Sequence, residues 1–259
     1  KNGSEEILST GFIGEGKYVR EFEDKFKKLV NAKYAVSCTS GTDALELALN
    51  TINVKGYEVI IPSNTFFATA IAVKNAGGKV VLSDCLKEDF CIDPIEVQKL
   101  ISKKTKVIIT VHIGGIISKN IGKLKKICKQ NNLFLVEDAA HAHLSNTSDG
   151  HAGTIGDIGC FSFFPTKVMT TGEGGMVTTN NKEFFDKIRS LKNFGRDLND
   201  SNLCVNSGGI NSKLNEFTGL LGSLECDRAV VRSERRNELL RIYKNNIDEN
   251  KFSVIEQKD

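Results

Sequence analysis

The chain has 259 residues, of which 40% are hydrophobic and 26% are charged. That length suits one large α/β domain or two modest ones, and the composition excludes disordered, collagen-like and coiled-coil chains. Because 35 basic residues stand against 32 acidic ones, we expect neither a nucleic-acid partner nor a polybasic membrane surface. No apolar run approaches the roughly 20 residues that a membrane span needs.

Seven cysteines are scattered singly along the chain, and none belongs to a C-x-x-C pair. An odd number of isolated cysteines is typical of reduced thiols rather than of a disulfide framework. We therefore expect a cytoplasmic protein.

Helical and strand patterns alternate along the chain. After a helix over Tyr18 to Val30, the expected elements are, in order, YAVSCTS, GTDALELALN, EVIIP, ATAIAVKNAG, KVVLSD, PIEVQKLI, KVIITVH, IGKLKKICKQNN and LFLVED. Two further strands joined by the polar loop PTKVMTT follow, then a helix closing at Gly195 and a long helix from about Asn215 to Tyr243. Continuous apolar strands between helices predict an α/β fold, with a mostly parallel sheet covered on both faces.

Two familiar motifs are approached but not matched. GFIGEGKY is close to a P-loop, but Tyr18 stands where the magnesium-binding Ser or Thr belongs, and no apolar strand precedes it. His141, His143, His151 and Cys160 lie near one another in sequence, but their spacing fits no closed zinc pattern. We therefore expect no metal.

Two segments suggest a site for a charged ligand. Ser40, Gly41 and Thr42 lie at a strand-to-helix junction, where free N–H groups favour a phosphate, although ordinary helix capping is the alternative. Asp138 ends an apolar strand, where doubly wound sheets place their ligands. A buried carboxylate there needs a cationic partner. A protonated pyridine nitrogen is one candidate, and a salt bridge or a helix cap is the alternative.

Two further segments suggest covalent and stacking contacts. Lys167 lies in SFFPTKVMTTGEGG between two strands, and a semi-buried lysine can form a Schiff base, whereas a solvated surface charge is the alternative. Ser162 could add a hydroxyl to a phosphate site. In IPSNTFFATA, Phe66 could stack on a flat ring, whereas Phe67 is expected to pack in the core. Together the four segments supply what a pyridoxal phosphate enzyme needs.

The sequence resembles a known family, the nucleotide-sugar aminotransferases of fold type I (the DegT/StrS group). The resemblance runs from about Gly14 to the end of the chain and rests on SGTDALELAL, PSNTFFAT, VEDAAHAH, SFFPTK, GEGGMV and GGINSKLNEF. It implies the three-layer αβα large domain of those enzymes, with pyridoxal 5′-phosphate (PLP) as cofactor. It also implies transfer of an amino group from an amino acid, L-glutamate by analogy, to a nucleotide-linked keto-deoxysugar.

The resemblance assigns roles to single residues. Lys167 would carry the cofactor as a Schiff base, Asp138 would keep its ring nitrogen protonated, and His141 would contact its ring hydroxyl. The other implied cofactor contacts are Gly41, Thr42, Phe66, Ser162 and Asn211. Of these, Asn211 would reach the phosphate held by a neighbouring subunit, which implies a homodimer with shared sites.

The resemblance also predicts a domain division. Residues 1–235 would form the large PLP-binding domain, and residues 236–259 the end of a linker helix and the start of a truncated C-terminal small domain. Gly114 replaces a usual Tyr, and Lys213–Leu214 replace a usual Arg-Met pair, so the substrate contacts are expected to differ. Two alternatives stay open. One is a sugar dehydratase, although such relatives carry His at the lysine position, and the other is a non-catalytic scaffold or regulatory homologue.

Overall fold

The computed structural model describes residues 2–196, 208–248, 250–252, 254, 255 and 257. Its helices are α1 (Asn2–Thr10), α2 (Lys17–Leu29), α3 (Gly41–Ile52), α4 (Phe67–Asn75), α5 (Pro94–Leu100), α6 (Ile121–Asn131), α7 (Lys182–Leu191) and α8 (Glu216–Asn246). Its strands are β1 (Tyr34–Cys38), β2 (Glu58–Pro62), β3 (Lys79–Ser83), β4 (Thr105–Val111), β5 (Phe134–Asp138), β6 (Asn146–Thr147), β7 (Gly150–His151), β8 (Ile158–Ser162) and β9 (Gly175–Thr179).

Seven of the strands form one sheet in the order β1-β9-β8-β5-β4-β2-β3. From β8 to β3 every neighbouring pair is parallel, whereas β9 runs antiparallel to both β8 and β1. The prediction of a mostly parallel sheet is confirmed. Because β9 runs antiparallel to β8, the loop that joins β8 to β9 lies at the carboxyl end of the parallel strands.

Helices cover both faces of this sheet. Alternate residues of β2 show the pattern, since Ile60 joins a core with α2, α5, α6 and α8, whereas Val59 and Ile61 join a core with α3, α4 and α7. Side chains of a strand alternate between the two faces of a sheet, so continuous apolar strands supply both cores at once. The architecture is the predicted three-layer αβα sandwich.

Three differences from the expected elements have physical explanations. Helix α1 was not predicted, because it is short and buries only Ile7. Phe67 was wrongly expected in the core: it is 64% exposed, since α4 turns Thr69, Ala72 and Val73 inward and position 67 lies on the opposite side. Helix α8 continues unbroken past residue 235, and the division into two domains there stays a prediction. Among the described residues, no helix is long and apolar enough to cross a membrane.

Candidate active site

A cavity of about 410 Å³ lies at the carboxyl ends of the parallel strands. Strands β4, β5 and β8 end there, and β1 ends there too, because Gly175 of β9 pairs with both Cys38 and Ser162. The loops that follow these strands therefore meet at one place. The cavity is lined by Ser40, Gly41, Thr42, Leu45, Thr65, Phe66, Ala68, Val111, Ile113, Asp138, Ala140, His141, Ser162, Phe164, Thr166, Lys167 and Glu173. Seven of the eight predicted cofactor residues are in this set, and only Asn211 is not.

The start of α3 forms one end of the cavity. Ser40 caps the helix by accepting a hydrogen bond from the Asp43 N–H at 3.0 Å, so the predicted capping and the predicted phosphate site coexist. The N–H groups of Gly41 and Thr42 belong to the first turn, where a helix provides no acceptor of its own. A Cβ on Gly41 would lie 2.7 Å from Cβ of Ser162, so only glycine lets the helix approach the end of β8 this closely. Free N–H groups, a helix dipole and the Ser162 hydroxyl together suit a phosphate.

Asp138, the last residue of β5, also lines the cavity. Its side chain is only 7% exposed, yet no Lys, Arg or His among the described residues lies within ion-pair distance of it. The carboxylate accepts hydrogen bonds from Thr69 Oγ1 at 2.9 Å and from the Ala140 N–H at 3.2 Å. A nearly buried carboxylate that borders a cavity without a cation partner is suited to a cationic ligand.

Lys167 lies in the loop between β8 and β9. The loop is anchored on Phe163, whose carbonyl accepts from the Thr171 N–H and the Thr170 hydroxyl, each at 3.0 Å, and by Met169, which is fully buried. Burial lowers the pKa of the half-buried Lys167 amine, while the negative charge of Asp138 acts in the opposite direction. A lowered pKa increases the fraction of neutral amine, which is the nucleophilic form.

His141 presents a hydrogen-bond donor to the cavity. Its Nδ1 accepts the Gly114 N–H at 3.3 Å, so a neutral ring carries its proton on Nε2. Burial and the positive charge of Lys167 lower the pKa of His141, and Asp138 opposes them. Two residues later, His143 is 97% buried beside the rings of Phe161 and Phe26. The two histidines thus have separate environments.

The two remaining predicted residues lie at or beyond the cavity mouth. Phe66 is 61% exposed and lines the cavity wall, with its ring centroid 4.0 Å from that of Phe67. Asn211 lies outside the cavity, where it forms an isolated β-bridge with Asn193 and accepts from Lys213 Nζ at 2.5 Å. It is exposed, as a residue directed at another subunit would be.

Four polar residues of the site were missed by the sequence analysis: Thr65, Thr69, Thr166 and Glu173. Thr65 lies just before α4 and Thr69 lies in its first turn; a spacing of four residues brings side chains together along a helix. The spacing was visible in PSNTFFATA, but nothing in the sequence linked Thr69 to Asp138. Glu173 is exposed at the edge of the cavity, within GEGG.

A second cavity, of about 560 Å³, adjoins the first and shares His141, Thr166 and Lys167 with it. Its other wall is α8, which contributes Ser233, Arg236, Asn237 and Leu240. Among the described lining residues Lys167 and Arg236 are cationic and none is acidic, which favours an anionic ligand. Because Lys167 lines both cavities, its side chain is accessible from each of them.

The donor set fits a particular class of ligand. A phosphate matches the start of α3, a flat ring matches Phe66, and a protonated ring nitrogen matches Asp138. An aldehyde on such a ring would meet the Lys167 amine. This fit depends on two observations. A Cβ on Gly41 would fill the space at the start of α3, and the Asp138 carboxylate has no cation partner among the described residues.

Comparisons with known proteins agree with this geometry. The model of the DegT/DnrJ/EryC1/StrS aminotransferase family matches residues 1–259. GDP-perosamine synthase of Escherichia coli O157:H7 is 34% identical over 93% of the chain, which covers 66% of that enzyme. The dTDP-3-amino-3,6-dideoxy-alpha-D-galactopyranose transaminase of Aneurinibacillus thermoaerophilus is 33% identical over 92% of the chain, which covers 65% of it.

Solved structures show the same similarity. NtdA from Bacillus subtilis with bound cofactor PMP superposes with a TM-score of 0.83 and 30% identity, covering 89% of this chain and 52% of that one. The chain spans at most about two thirds of the length of these three proteins. The match over the whole sequence confirms the resemblance found in its motifs, and the chain belongs to the DegT/DnrJ/EryC1/StrS aminotransferase family.

Proposed function

We propose that this chain is the cofactor-binding part of a cytoplasmic, PLP-dependent aminotransferase that acts on a nucleotide-linked keto-deoxysugar. The observation that carries the proposal is the cavity itself. Lys167, Asp138 and the start of α3 border one space at the carboxyl end of the sheet, with a half-buried amine and an unpaired carboxylate in it. Lysine at position 167 favours amino transfer over the dehydratase alternative, whose relatives carry histidine there.

Each residue of the cavity has a task in this function. When bound, PLP supplies an electron sink that stabilises negative charge on the substrate carbon. The N–H groups of Gly41 and Thr42 and the Ser162 hydroxyl would hold the phosphate, and Phe66 would cover the ring. Asp138 would hold the ring-nitrogen proton, and His141 would donate from Nε2 to the ring hydroxyl. The Lys167 amine would hold the aldehyde and, when free, would move the proton of the substrate carbon.

The relatives support the substrate class. Their names refer to a GDP-linked and a dTDP-linked amino sugar, and the second of them is a transaminase. The second cavity would accept the amino donor, since Arg236 can face a carboxylate there and Lys167 lines both cavities. An α-amino acid such as L-glutamate has that carboxylate next to the amine that would have to reach the aldehyde beside Lys167. Replacing Arg236 by alanine should therefore raise the KM for the donor and leave the KM for the sugar unchanged.

The exposed surroundings of the cavity support a homodimer with shared sites. Phe66, Phe67 and Phe164 are 61%, 64% and 44% exposed around the mouth, and Phe194, beside Asn211, is 43% exposed. A second copy would cover these rings in an interface of at least about 1,000 Å². Mixing Lys167→Ala with Asn211→Ala chains tests the sharing. Activity should rise on mixing, because one site of the mixed dimer keeps both residues; no rise despite subunit exchange would place Asn211 outside the neighbour's site.

The central experiment tests for the covalent adduct. PLP is added to the wild-type chain, to Lys167→Ala, and to Lys106→Ala, a matched lysine outside the cavity. We expect a visible absorption band and, after borohydride reduction, a modified peptide containing Lys167 in the wild type and in Lys106→Ala. Lys167→Ala should show neither. An adduct on another lysine, or none in the folded wild type, would contradict the proposal.

Amino transfer is then measured with the same three proteins. Incubation with an L-amino acid should convert the adduct to the aminated cofactor, and a nucleotide-linked keto-deoxysugar should reverse the conversion. A panel of sugars and donors identifies the substrates. If the adduct forms but no keto sugar reverses the conversion, the cofactor assignment is retained and the sugar substrate is wrong.

A further inference from the structure

Two threonine hydroxyls are linked to the Asp138 carboxylate, and neither was assigned a contact with the cofactor. Thr69 is completely buried in the first turn of α4, and its Oγ1 lies 2.9 Å from Oδ2 of Asp138. Thr65, at the end of the loop before α4, places its Oγ1 2.7 Å from Oγ1 of Thr69. The three side chains form a continuous line from the cavity wall to the carboxylate.

The direction of the protons along this line follows from the chemistry of its members. An ionised carboxylate only accepts, so Thr69 must use its single proton on Asp138. The bond between the two threonines then needs Thr65 as the donor. Its hydroxyl also faces the Phe66 carbonyl at 3.4 Å, but the 2.7 Å contact with Thr69 Oγ1 is much the shorter of the two. With the Ala140 N–H on Oδ1, both oxygens of Asp138 receive a donor from the protein. These bonds fix the plane of the carboxylate.

We propose that Thr69, supported by Thr65, is a positioning residue that orients the Asp138 carboxylate toward a protonated ring nitrogen in the cavity. The inference rests on the proposed function, since the ring nitrogen belongs to the cofactor. Thr69 itself touches no ligand: it is fully buried and does not line the cavity.

A matched control is available on the neighbouring strand. Thr110 of β4 is also completely buried, but its Oγ1 has no hydrogen-bond partner among the described residues. The substitution of Val for Thr preserves shape and removes a hydroxyl in both cases. At position 69 it removes a donor to Asp138, whereas at position 110 it removes no hydrogen bond. A difference between the two variants therefore reports the bond and not the loss of a buried hydroxyl.

The test measures PLP binding and the pH at which the visible absorption of the Lys167 adduct changes. In Thr69→Val we expect PLP to bind about fivefold more weakly, as the loss of one hydrogen bond to a charged group predicts. The pH midpoint of the absorption change should rise by about half a unit, because a ring nitrogen that holds its proton less firmly withdraws less charge from the adduct. Thr69→Ser should restore both values, and Thr65→Val should shift both in the same direction by less.

The outcomes separate the inference from the function on which it rests. Unchanged affinity and midpoint in folded Thr69→Val, or equal changes in Thr110→Val, would overturn the positioning role while the adduct remains. If the wild type forms no adduct on Lys167, the proposed function fails and this inference fails with it. Should Thr69→Val not fold, Thr65→Val decides, because Thr65 is only half-buried and its hydroxyl can be removed without opening the core.

Discussion

Two carboxylates stand next to each other at the end of β5 and have opposite environments. Glu137 is completely buried and accepts four hydrogen bonds: from His112 Nε2 at 2.8 Å and from the N–H groups of Gly153, Ile155 and Gly156 at 2.6–2.9 Å. Asp138, on the other face of the strand, accepts only two and borders the cavity. The strand alternation that separates the two cores also separates these two acids.

The number of donors distinguishes a structural acid from a candidate functional one. The acceptor positions of Glu137 are filled by three N–H groups of the loop that joins β7 to β8 and by His112. The side chain therefore holds that loop and has no acceptor position left for a ligand. Asp138 keeps acceptor capacity directed at a space that a cation can enter. Burial alone would not separate them, because both side chains are nearly or fully inaccessible.

The largest effect is expected from Asp138→Asn. The variant removes the charge that would hold the ring-nitrogen proton, so turnover should fall about 100- to 1,000-fold, the scale of one lost preorganised electrostatic contact. Stability should change by less than about 1 kcal/mol, since the amide oxygen can still accept from the Ala140 N–H and the amide nitrogen can donate to the Thr69 hydroxyl, which can rotate. Steady-state kinetics and urea unfolding measure the two quantities. Near-wild-type turnover would show that Asp138 faces something other than the cofactor.

Glu137→Gln should produce the reverse pattern. The amide nitrogen replaces an acceptor that faces backbone N–H groups, and the remaining donors lose their charged partner. We expect the free energy of unfolding to fall by about 3 kcal/mol, the cost of breaking a buried charged network. PLP affinity of the folded fraction should be retained. A stable variant without PLP binding would mean that the structural and functional roles are exchanged.

The contrast between the two acids also shows how much of the site could be predicted from the sequence. LFLVED predicted the strand and its end, and the position of Asp138 at that end was enough to propose a ligand contact. The donors of Glu137 lie 16–25 residues away, in the loop before β8 and at His112 just after β4, and no local sequence pattern indicates them. The same limit applies to Thr69, whose partner is 69 residues away. Periodicity determines faces and ends of elements, whereas hydrogen bonds between distant segments depend on the packing of the whole sheet.

The comparison extends to the two histidines that follow. His141 borders the cavity, whereas His143 packs among Phe26, Phe161 and Phe163. Burial, assisted by the positive charge of Lys167, lowers the pKa of His143 to about 3. The unfolded chain therefore takes up a proton near pH 6.5 that the folded chain refuses until about pH 3, so stability falls as the pH is lowered through that window.

Replacing His143 by phenylalanine should remove this acid sensitivity. Between pH 7.5 and pH 5, the free energy of unfolding of the wild type should fall by about 2 kcal/mol more than that of the variant. The figure follows from about 1.36 kcal/mol for each pH unit below 6.5. Urea unfolding at the two pH values measures the difference. Phe161→Leu, which perturbs the same aromatic cluster without a titrating group, should lose stability equally at both. A parallel loss in His143→Phe would show that His143 is not the group responsible.

The smallest effect concerns the pH dependence of adduct formation at Lys167. The neutral amine attacks an aldehyde, so the rate with added PLP should rise with pH through the pKa of Lys167 and then level off. Burial places that pKa below the usual 10.5, and the negative charge of Asp138 holds it higher than burial alone would.

Asp138→Asn removes this charge, and the midpoint of the rate profile should move to lower pH. Glu137→Gln should leave the midpoint unchanged, because Glu137 lies on the other face of β5 and does not border the cavity. Stopped-flow absorbance over a pH series compares the three proteins at equal PLP. An upward shift in Asp138→Asn, or equal shifts in both variants, would mean that the amine does not sense Asp138 across the cavity and that the contrast between the two acids ends at their hydrogen bonds.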